Sequence, residues 1–327
     1  MYFTPSSEYR IMSDNEYPTF VSDIIPKLEA CAQKGFFDGF DGKQMWYNYF
    51  LTENAKASVV IVHGYTEFIQ KYYETIYYLL SEGYNVFIYD QRGHGLSARE
   101  TNDETVCHCD SFKSYAKDLH CFIENIVKPN SEGLKINILS HSMGGMVSAY
   151  YLNEHQGAVN KAVLSSPMIK SYTHGVPIFV MKKALEKKFI PATGLSGRFP
   201  PSHEFDPNPN FSKAADVSYN RFKYNMDIRL SDKRYQPTGY SNAWMRDCIY
   251  SPEELLRKDF AAKIKTECMV FTAGKDSIVN PHSQKKFAKN LPNCKWILFP
   301  NAKHTIYNGY DEDIKRFYHE VFDFYRE

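Results

Sequence analysis

The sequence has no long uninterrupted run of apolar residues, so no segment reaches the roughly 20 residues that a membrane-spanning helix requires. The N-terminal stretch also lacks the basic start and the apolar centre of a secretory signal. We therefore expect a cytoplasmic protein, and peripheral attachment to the inner membrane stays open as an alternative.

An excess of charge of one sign is missing as well. The 39 Lys and Arg residues against 38 Asp and Glu residues leave a net charge of +1, which gives no electrostatic reason to expect nucleic acid as a partner. The seven cysteines follow no regular spacing, which favours reduced thiols over a disulfide framework. Cys107-His108-Cys109 has no second pair at zinc-finger spacing, so we expect no metal ion.

Instead of long apolar segments, the sequence has several short apolar runs. None alternates cleanly with polar residues, which is typical of strands that are buried on both faces of a parallel sheet. A hairpin is expected before them, because Asp41-Gly42 joins Gly35–Phe40 to Lys43–Leu51 and an Asp-Gly step favours a tight turn. The six runs are Val59–Val62, Val86–Tyr89, Ile136–Leu139, Ala162–Leu164, Met269–Phe271 and Trp296–Phe299.

Helical patterns separate several of these runs. A first apolar stripe ends before Gly83, a second ends before Pro129 and a third lies near the C-terminus. Alternation of strands and helices predicts an α/β fold, with a mostly parallel central sheet and helices on both faces. The stripes are Tyr72, Ile76, Leu79 and Leu80; Phe112, Tyr115, Leu119, Phe122, Ile123 and Ile126; and Ile314, Phe317, Tyr318 and Val321.

The alternation stops between about Pro167 and Tyr250, where prolines punctuate a mixed basic and aromatic sequence. A stretch of this length inside an α/β domain needs structure of its own or a function, and its many aromatic residues argue against disorder. We predict a core that comprises residues 1–166 and 251–327 and an inserted, partly helical cap at residues 167–250.

The strongest motif is a serine between a strand and a helix. Ile136–Leu139 runs into Ser140-His141-Ser142-Met143-Gly144-Gly145, which the helix-compatible Met146–Tyr151 follows. A small-x-Ser-x-Gly turn in this place exposes the serine hydroxyl above the sheet, as in a nucleophile elbow. Ser140 replaces the usual first glycine, and its small side chain is expected to fit. We predict that Ser142 is the nucleophile.

A general base and an orienting acid are expected after the serine in the chain, on loops that follow late strands. Asp276 follows Met269–Phe271, and His304 follows Trp296–Phe299. Both therefore lie at the carboxyl ends of predicted strands. We predict that His304 takes the proton of Ser142 and that Asp276 fixes the tautomer of His304.

The loop after Val59–Val62 begins with His63-Gly64-Tyr65. A His-Gly loop can direct a backbone N–H into the site, so we assign the oxyanion hole to the amides of Tyr65 and Met143. His63 is an alternative base, but it precedes the nucleophile and we expect it to shape the loop. Glu67 could be an acid in the site or could tie the loop down, and we favour the second role.

Together these motifs resemble the monoacylglycerol lipase and bacterial lysophospholipase group of the α/β-hydrolase superfamily, from about Gly35 to the C-terminus. Lys71–Glu74, Ser166–Met168 and Trp244–Asp247 are most similar to bacterial lysophospholipases. The motifs that carry the resemblance are Val-His-Gly-x-x-Glu at Val62–Glu67, Asp-x-Arg-Gly-His-Gly-x-Ser at Asp90–Ser97, His-Ser-Met-Gly-Gly at His141–Gly145, Gly-x-x-Asp-x-x-Val at Gly274–Val279 and the loop of His304.

The resemblance implies an α/β-hydrolase fold and hydrolysis of a carboxylic ester in a single-chain acyl lipid, through an acyl-enzyme and without a cofactor. It also implies that the cap forms an apolar acyl channel and can contact a membrane. Aromatic and basic cap residues could receive a phosphate-bearing head group, or they could form a solvated surface. These residues are Tyr219, Arg221, Phe222, Lys223, Tyr224, Arg229, Lys233 and Arg234.

Alternatives remain at this point. A monoacylglycerol lipase or a broad carboxylesterase would use the same catalytic residues. An aminopeptidase would need an acidic cap residue, such as Glu204 or Asp227, to bind the amine of its substrate. A non-catalytic binding protein could also use this scaffold. The sequence leaves the oligomeric state open.

Overall fold

A computed structural model describes residues 2–4, 10–173, 175–190, 193–200, 202 and 204–327. Two of the prolines in the predicted cap, Pro191 and Pro201, lie outside these ranges. The N-terminal stretch, in which we expect no secretory signal, is described only in part. None of the described helices is both long enough and apolar enough to span a bilayer.

The described chain contains eleven strands. They are β1 (Tyr2–Phe3), β2 (Gln33–Asp38), β3 (Gln44–Thr52), β4 (Ala57–Val62), β5 (Tyr84–Tyr89), β6 (Val106–Cys107), β7 (Ile136–His141), β8 (Lys161–Ser165), β9 (Gly239–Tyr240), β10 (Glu267–Ala273) and β11 (Cys294–Phe299). All except β6 and β9 form the central nine-stranded sheet, in the order β1-β3-β5-β4-β7-β8-β10-β11 with β2 paired to β3. The strand β3 runs antiparallel to β2 and β5, and the other pairs of this sheet are parallel.

All six predicted strands and the predicted hairpin are present. In the hairpin turn, Gly42 has φ +79°, a conformation that glycine adopts at little cost. The expectation of burial on both faces is wrong for β11, where Lys295 and Leu298 are exposed. The reason is that β11 is the last strand of the sheet and pairs only with β10.

Helices cover both faces of the sheet, which confirms the predicted fold class. They are α1 (Tyr17–Asp23), α2 (Ile25–Cys31), α3 (Tyr73–Ser81), α4 (Phe112–Phe122), α5 (Lys128–Asn130), α6 (Met143–Glu154), α7 (Ile178–Ala184), α8 (Tyr219–Ser231), α9 (Asn242–Leu255), α10 (Lys258–Ala261), α11 (Pro281–Asn290) and α12 (Asp311–Arg326). Short 3-10 helices are Asp14–Glu16, Ile69–Tyr72, Lys187–Phe189, Phe211–Lys213, Lys233–Tyr235 and Ile306–Asn308.

The three predicted apolar stripes lie mainly on α3, α4 and α12. Tyr72 ends the 3-10 helix before α3, and Ile123 and Ile126 lie in a π-helical turn after α4. The second stripe ends at Ile126, before Pro129, but the helical segment that carries it continues to Asn130. A π-helical turn at Ile123–Val127 continues α4 into α5, and Pro129 lies in the first turn of α5. The Lys128 N–H donates to the Ile123 carbonyl oxygen, five residues back, so the helical hydrogen-bond pattern is already shifted just before Pro129, which has no N–H to donate.

Two helices in the N-terminal region, α1 and α2, were not predicted. Tyr17, Phe20 and Leu28 bury their side chains in the cluster that covers one face of the sheet. The segment before α1 also contacts the cap, because Asp14 accepts a hydrogen bond from the Asn220 backbone N–H (3.0 Å).

The region predicted as a cap contains α7, α8 and the start of α9. A small parallel sheet of β6 and β9 joins it to the core through the pairs Val106–Gly239 and Cys107–Tyr240. The predicted boundary at residue 250 falls inside α9. The division of the chain into a core and an inserted cap stays a prediction.

Candidate active site

The turn after β7 holds Ser142 in an unusual backbone conformation, with φ +52° and ψ −116°. The chain can turn this tightly because Gly144 lies against β4. A Cβ atom on Gly144 would lie 2.0 Å from the Val62 carbonyl oxygen, so a side chain cannot be accommodated. Ser140 is tolerated where a glycine is usual, because its buried hydroxyl donates to the Val163 carbonyl oxygen (3.2 Å).

The structure brings Ser142, His304 and Asp276 together, although up to 162 positions separate them in the sequence. Ser142 Oγ lies 2.9 Å from His304 Nε2, and His304 Nδ1 lies 2.7 Å from Asp276 Oδ2. All three residues are at least nine-tenths buried. In this arrangement Nδ1–H donates to the carboxylate and leaves Nε2 free to accept the serine proton.

Asp276 is itself held by the loop that follows β10. Its Oδ1 atom accepts the backbone N–H groups of Ile278 (2.8 Å) and Val279 (2.9 Å). The other carboxylate oxygen is thereby directed at His304. This support fixes the acid without a second charged side chain.

Two backbone amides are assigned to the oxyanion hole. Met143 directly follows Ser142 in the sequence, and Tyr65 lines the cavity. Met143 is the first residue of α6, where an N–H group has no intrahelical acceptor. Tyr65 precedes Thr66, whose φ of +63° turns the loop sharply. Within the described part of the chain, neither amide donates a hydrogen bond, so neither is committed to another acceptor, and their role in an oxyanion hole stays a prediction.

The carboxylate of Glu67 links three separate loops of the site. It accepts hydrogen bonds from Gly64 N–H (2.5 Å), Lys71 Nζ (2.8 Å), Tyr72 Oη (2.6 Å), His141 Nδ1 (3.2 Å) and Tyr307 Oη (2.9 Å). We call these six residues the Glu67 cluster.

Glu67 stays ionised within this cluster. Burial alone would raise its pKa, but Lys71 and His141 outweigh burial and hold the pKa of Glu67 well below its usual value. The structure thus agrees with the role of tying the loop down. No sequence motif indicates Tyr307, which lies 240 positions from Glu67 in the chain.

His63 is occupied within its own loop. Its Nδ1 lies 2.7 Å from the Gly64 carbonyl oxygen, and its Nε2 accepts the Gln91 backbone N–H (2.9 Å). Burial lowers the pKa of His63 to about 4, so the ring is neutral near pH 7. This arrangement fits the expected role in shaping the loop.

A buried arginine ties the Asp90–Ser97 loop to its neighbours. The buried Arg92 pairs with Asp118 (2.6 Å), Glu100 (2.8 Å) and Asp41 (3.1 Å). The three carboxylates match the fork of the guanidinium group and tie the loop to the β2–β3 hairpin and to α4.

A cavity of about 610 Å³ opens on Ser142 and His304 between the core and the cap. Much of its wall is apolar, which suits an acyl chain. The polar wall includes Arg229, Asp216, Lys71 and Lys213. The apolar wall includes Met168, Tyr172, Phe222, Met226, Trp244, Met245 and Ile278.

The eight cap residues considered for a head group do not gather in one place. Phe222 and Arg229 line the cavity, whereas Arg221 is buried against Glu74. Lys223 and Arg234 pair with acidic neighbours on the surface. The sequence could not separate these environments, because all of these cations look alike in it.

The acidic residues considered for an aminopeptidase, Glu204 and Asp227, are exposed, and neither lines the cavity. Asp216 does line it, and its carboxylate accepts a hydrogen bond from Asn308 Nδ2 (3.1 Å). The seven cysteines are free thiols. Among the residues that the structure describes, no three His, Cys, Asp or Glu side chains are placed to share a metal ion.

Comparison with known proteins places this chain in a family. The model of the family described as "Serine aminopeptidase, S33" matches residues 53–311. Lysophospholipase L2 of Escherichia coli is 27% identical, over 94% of this chain and 87% of that protein. The monoglyceride lipase of Saccharomyces cerevisiae is 23% identical, over 89% of this chain and 90% of that protein.

Solved structures support the same fold. A soluble variant of the Saccharomyces cerevisiae monoglyceride lipase, in complex with a substrate analogue, has a TM-score of 0.70 at 19% identity and covers 90% of this chain and 94% of that one. A carboxyl esterase from Bacillus coagulans has a TM-score of 0.69 at 17% identity, with 90% and 98% covered. The family match spans most of the chain, so this protein belongs to the serine aminopeptidase S33 family and is a serine hydrolase of the α/β-hydrolase superfamily.

Proposed function

We propose that this protein hydrolyses the carboxylic ester of a lysophospholipid. The observation that carries the proposal is the Ser142–His304–Asp276 relay, which opens into a large, partly apolar cavity under the cap. A single acyl chain fits such a cavity. The similarity to lysophospholipase L2 over nearly the whole chain supports the choice of substrate class.

In the proposed reaction, Ser142 Oγ attacks the acyl carbonyl carbon while His304 Nε2 takes its proton. The oxyanion that forms accepts the N–H groups of Tyr65 and Met143. Collapse of this intermediate breaks the bond to the head-group alcohol, which leaves with the proton from His304. The acyl chain then remains on Ser142 as an ester.

Water completes the proposed cycle. His304 takes a proton from the water as it attacks the acyl-enzyme, and the second tetrahedral intermediate uses the same two amides. Its collapse returns the proton to Ser142 Oγ and releases the fatty acid. These steps need no cofactor, because the chain's own side chains and amides perform each proton transfer and hold each charge.

The cap is proposed to dock on an anionic membrane surface in the cytoplasm. Ile178, Phe179, Val180 and Phe189 are exposed around α7, and Phe179 is 69% exposed. Lysines at positions 182, 183, 187 and 188 surround them. This combination favours an anionic bilayer. Phe179→Asp should reduce co-flotation with phosphatidylglycerol vesicles, and unchanged flotation would contradict the docking proposal.

A fatty-acid release screen tests the substrate. Lysophosphatidylcholine, lysophosphatidylethanolamine, monoacylglycerols of the same chain length, and p-nitrophenyl esters are compared, with Ser142→Ala as the control. We expect release from the lysophospholipids. Release from monoacylglycerol alone would favour a monoacylglycerol lipase, and equal turnover of all esters would favour a broad carboxylesterase.

Two further outcomes address the remaining classes. Aminoacyl p-nitroanilides test for an aminopeptidase, which needs an acidic residue to bind the amine of its substrate. Among the described residues of the cavity wall, Asp216 is the one buried acid without a cationic hydrogen-bond partner, so it is the candidate for this role. A fluorophosphonate probe should label the wild type and leave Ser142→Ala unlabelled. Absence of labelling in the wild type would indicate a non-catalytic protein.

A further inference from the structure

Arg229 lies near the end of α8 and lines the cavity that contains Ser142. Its Nε–H donates to the Tyr235 carbonyl oxygen (3.2 Å), and Nη2 donates to the Pro237 carbonyl oxygen (3.3 Å). The guanidinium group also lies 4.7 Å from the centre of the Phe205 ring. A guanidinium group has five N–H donors, so these two hydrogen bonds leave three donors unused.

No carboxylate balances this charge. Across the described ranges, Arg229 forms no ion pair with an acidic residue, whereas Arg92 pairs with three carboxylates and Arg221 pairs with Glu74. Burial lowers the pKa of Arg229 to about 10, and the side chain is still charged near pH 7. Arg229 is partly buried, so its attraction to an anion would be screened less than at an exposed cation.

The neighbouring wall offers further unused polar atoms. Tyr65 Oη, Trp244 Nε1 and Asn225 Oδ1 are buried, and the described part of the chain provides none of them with a hydrogen-bond partner. Asn225 precedes Arg229 by one helical turn, which places both on the same face of α8. Tyr65 also supplies one of the proposed oxyanion amides. The unmatched cation therefore has unused polar groups in the same cavity.

The acidic groups of the cavity do not fill this role. Glu67 is bound within the Glu67 cluster, Asp216 accepts a hydrogen bond from Asn308, and Asp206 is exposed. Since no described carboxylate pairs with Arg229, the ligand is the candidate source of its anion. A monoacylglycerol has no charge, whereas a lysophospholipid carries a phosphodiester a few bonds from its ester.

We propose that Arg229 binds the phosphodiester of the head group and thereby makes the enzyme prefer lysophospholipids to monoacylglycerols. The inference rests on the proposed function. Two oxygens of the phosphodiester match the planar fork of the guanidinium group, which gives directed hydrogen bonds as well as charge. Arg229 thus selects the substrate and takes no part in the proton transfers at Ser142.

The test compares kcat/KM for lysophosphatidylcholine and for a monoacylglycerol with the same short acyl chain, both below their critical micelle concentrations. For Arg229→Gln we expect kcat/KM to fall roughly 10- to 100-fold on lysophosphatidylcholine, since a charged hydrogen bond is lost. On the monoacylglycerol it should change by less than about threefold. Arg229→Lys, which keeps the charge but not the fork, should lie between.

Arg234→Gln is the matched control, because Arg234 is exposed and pairs with Asp232. It should leave the ratio of the two kcat/KM values unchanged. An equal fall on both substrates for Arg229→Gln would overturn the inference and assign Arg229 a structural role. If kcat/KM of Arg229→Gln is unchanged on both substrates, the inference is overturned as well.

Two measurements keep the test decisive. If Arg229→Gln does not fold, as judged by circular dichroism, Arg229→Lys and inhibition of p-nitrophenyl ester hydrolysis by glycerophosphocholine replace it. Inhibition is expected in the wild type and should weaken in Arg229→Lys. Its absence in the wild type would contradict the inference. A wild type that cleaves only monoacylglycerol would instead overturn the proposed function itself.

Discussion

The core and the part of the predicted cap that lines the cavity differ in how their charges are matched. In the core, Glu67 accepts five hydrogen bonds, and Arg92 pairs with three carboxylates. On the cap side of the cavity, the described residues offer Arg229 two carbonyl oxygens and an aromatic ring, and no carboxylate. The comparison teaches that the loops around the proposed catalytic residues are held by ion pairs and hydrogen bonds within the protein. In the proposed selection of substrate, by contrast, the ligand itself supplies the anion for Arg229.

The largest effect should come from the proposed relay in the core. His304→Ala is expected to lower kcat by roughly 10⁴-fold or more, because no other base lies within reach of Ser142 Oγ in the described structure. Fluorophosphonate labelling and ester hydrolysis measure this loss. His63→Ala is the comparison variant and should keep measurable activity. The reverse result would show that the base has been assigned wrongly.

Glu67→Gln should break the matched charges of the core. It leaves the ammonium group of Lys71 buried without its carboxylate, and removing one partner of a buried pair typically costs about 3–5 kcal/mol in the free energy of unfolding. Urea denaturation measures the loss. In Lys71→Met with Glu67→Gln, much of it should be recovered. A double variant as unstable as Glu67→Gln would contradict the explanation.

The same carboxylate predicts a pH dependence. Because the pKa of Glu67 is lower in the folded protein than in the unfolded chain, its contribution is present above the ordinary glutamate pKa of about 4.3. This contribution is lost as the pH falls through the folded value. Urea denaturation between pH 3 and 7 should therefore show a shallower acid loss for Glu67→Gln than for the wild type.

Two arginines of α8 sharpen the comparison within one helix. Arg221→Met leaves Glu74 buried and unpaired, so we expect the free energy of unfolding to fall by about 3 kcal/mol. Arg229→Met removes a cation with no carboxylate partner, and its effect should stay within about 1 kcal/mol. Thermal denaturation of both variants gives the two values. Equal losses would show that Arg229 stabilises the fold as much as Arg221 does.

The smallest effect concerns the backbone of the turn at Ser142. With φ at +52°, a side chain at this position is strained, and glycine relieves the strain. Ser142→Gly should therefore be about 1 kcal/mol more stable than Ser142→Ala, and both should be inactive. Equal stability of the two variants would mean that the turn carries no such strain.

Much of the fold could be predicted because its signals are local. The six apolar runs, the Asp41-Gly42 turn and the small residues around Ser142 reflect backbone geometry that neighbouring residues determine. Helices α1 and α2 escaped prediction because their sequences are short and their stability comes from packing against α3 and α8. The exposure of β11 depends on its place at the sheet edge, which no local pattern records.

The candidate site divides in the same way. Ser142, Asp276 and His304 stand next to strand ends, so their meeting could be expected from the sequence. The Glu67 cluster could not, because Tyr307 is far away in the chain and a tyrosine after a histidine loop is not distinctive. Nor could the sequence tell Arg229 from Arg221, since pairing depends on which helix faces which.

The close approach of Gly144 to β4 has a consequence for how substrate preference can change over evolutionary time. The location of Ser142 is set by main-chain atoms of the sheet, with little dependence on the side chains of the cap. Mutations in the cap can therefore accumulate without displacing the nucleophile. Relatives with different substrates can share this turn while their caps diverge.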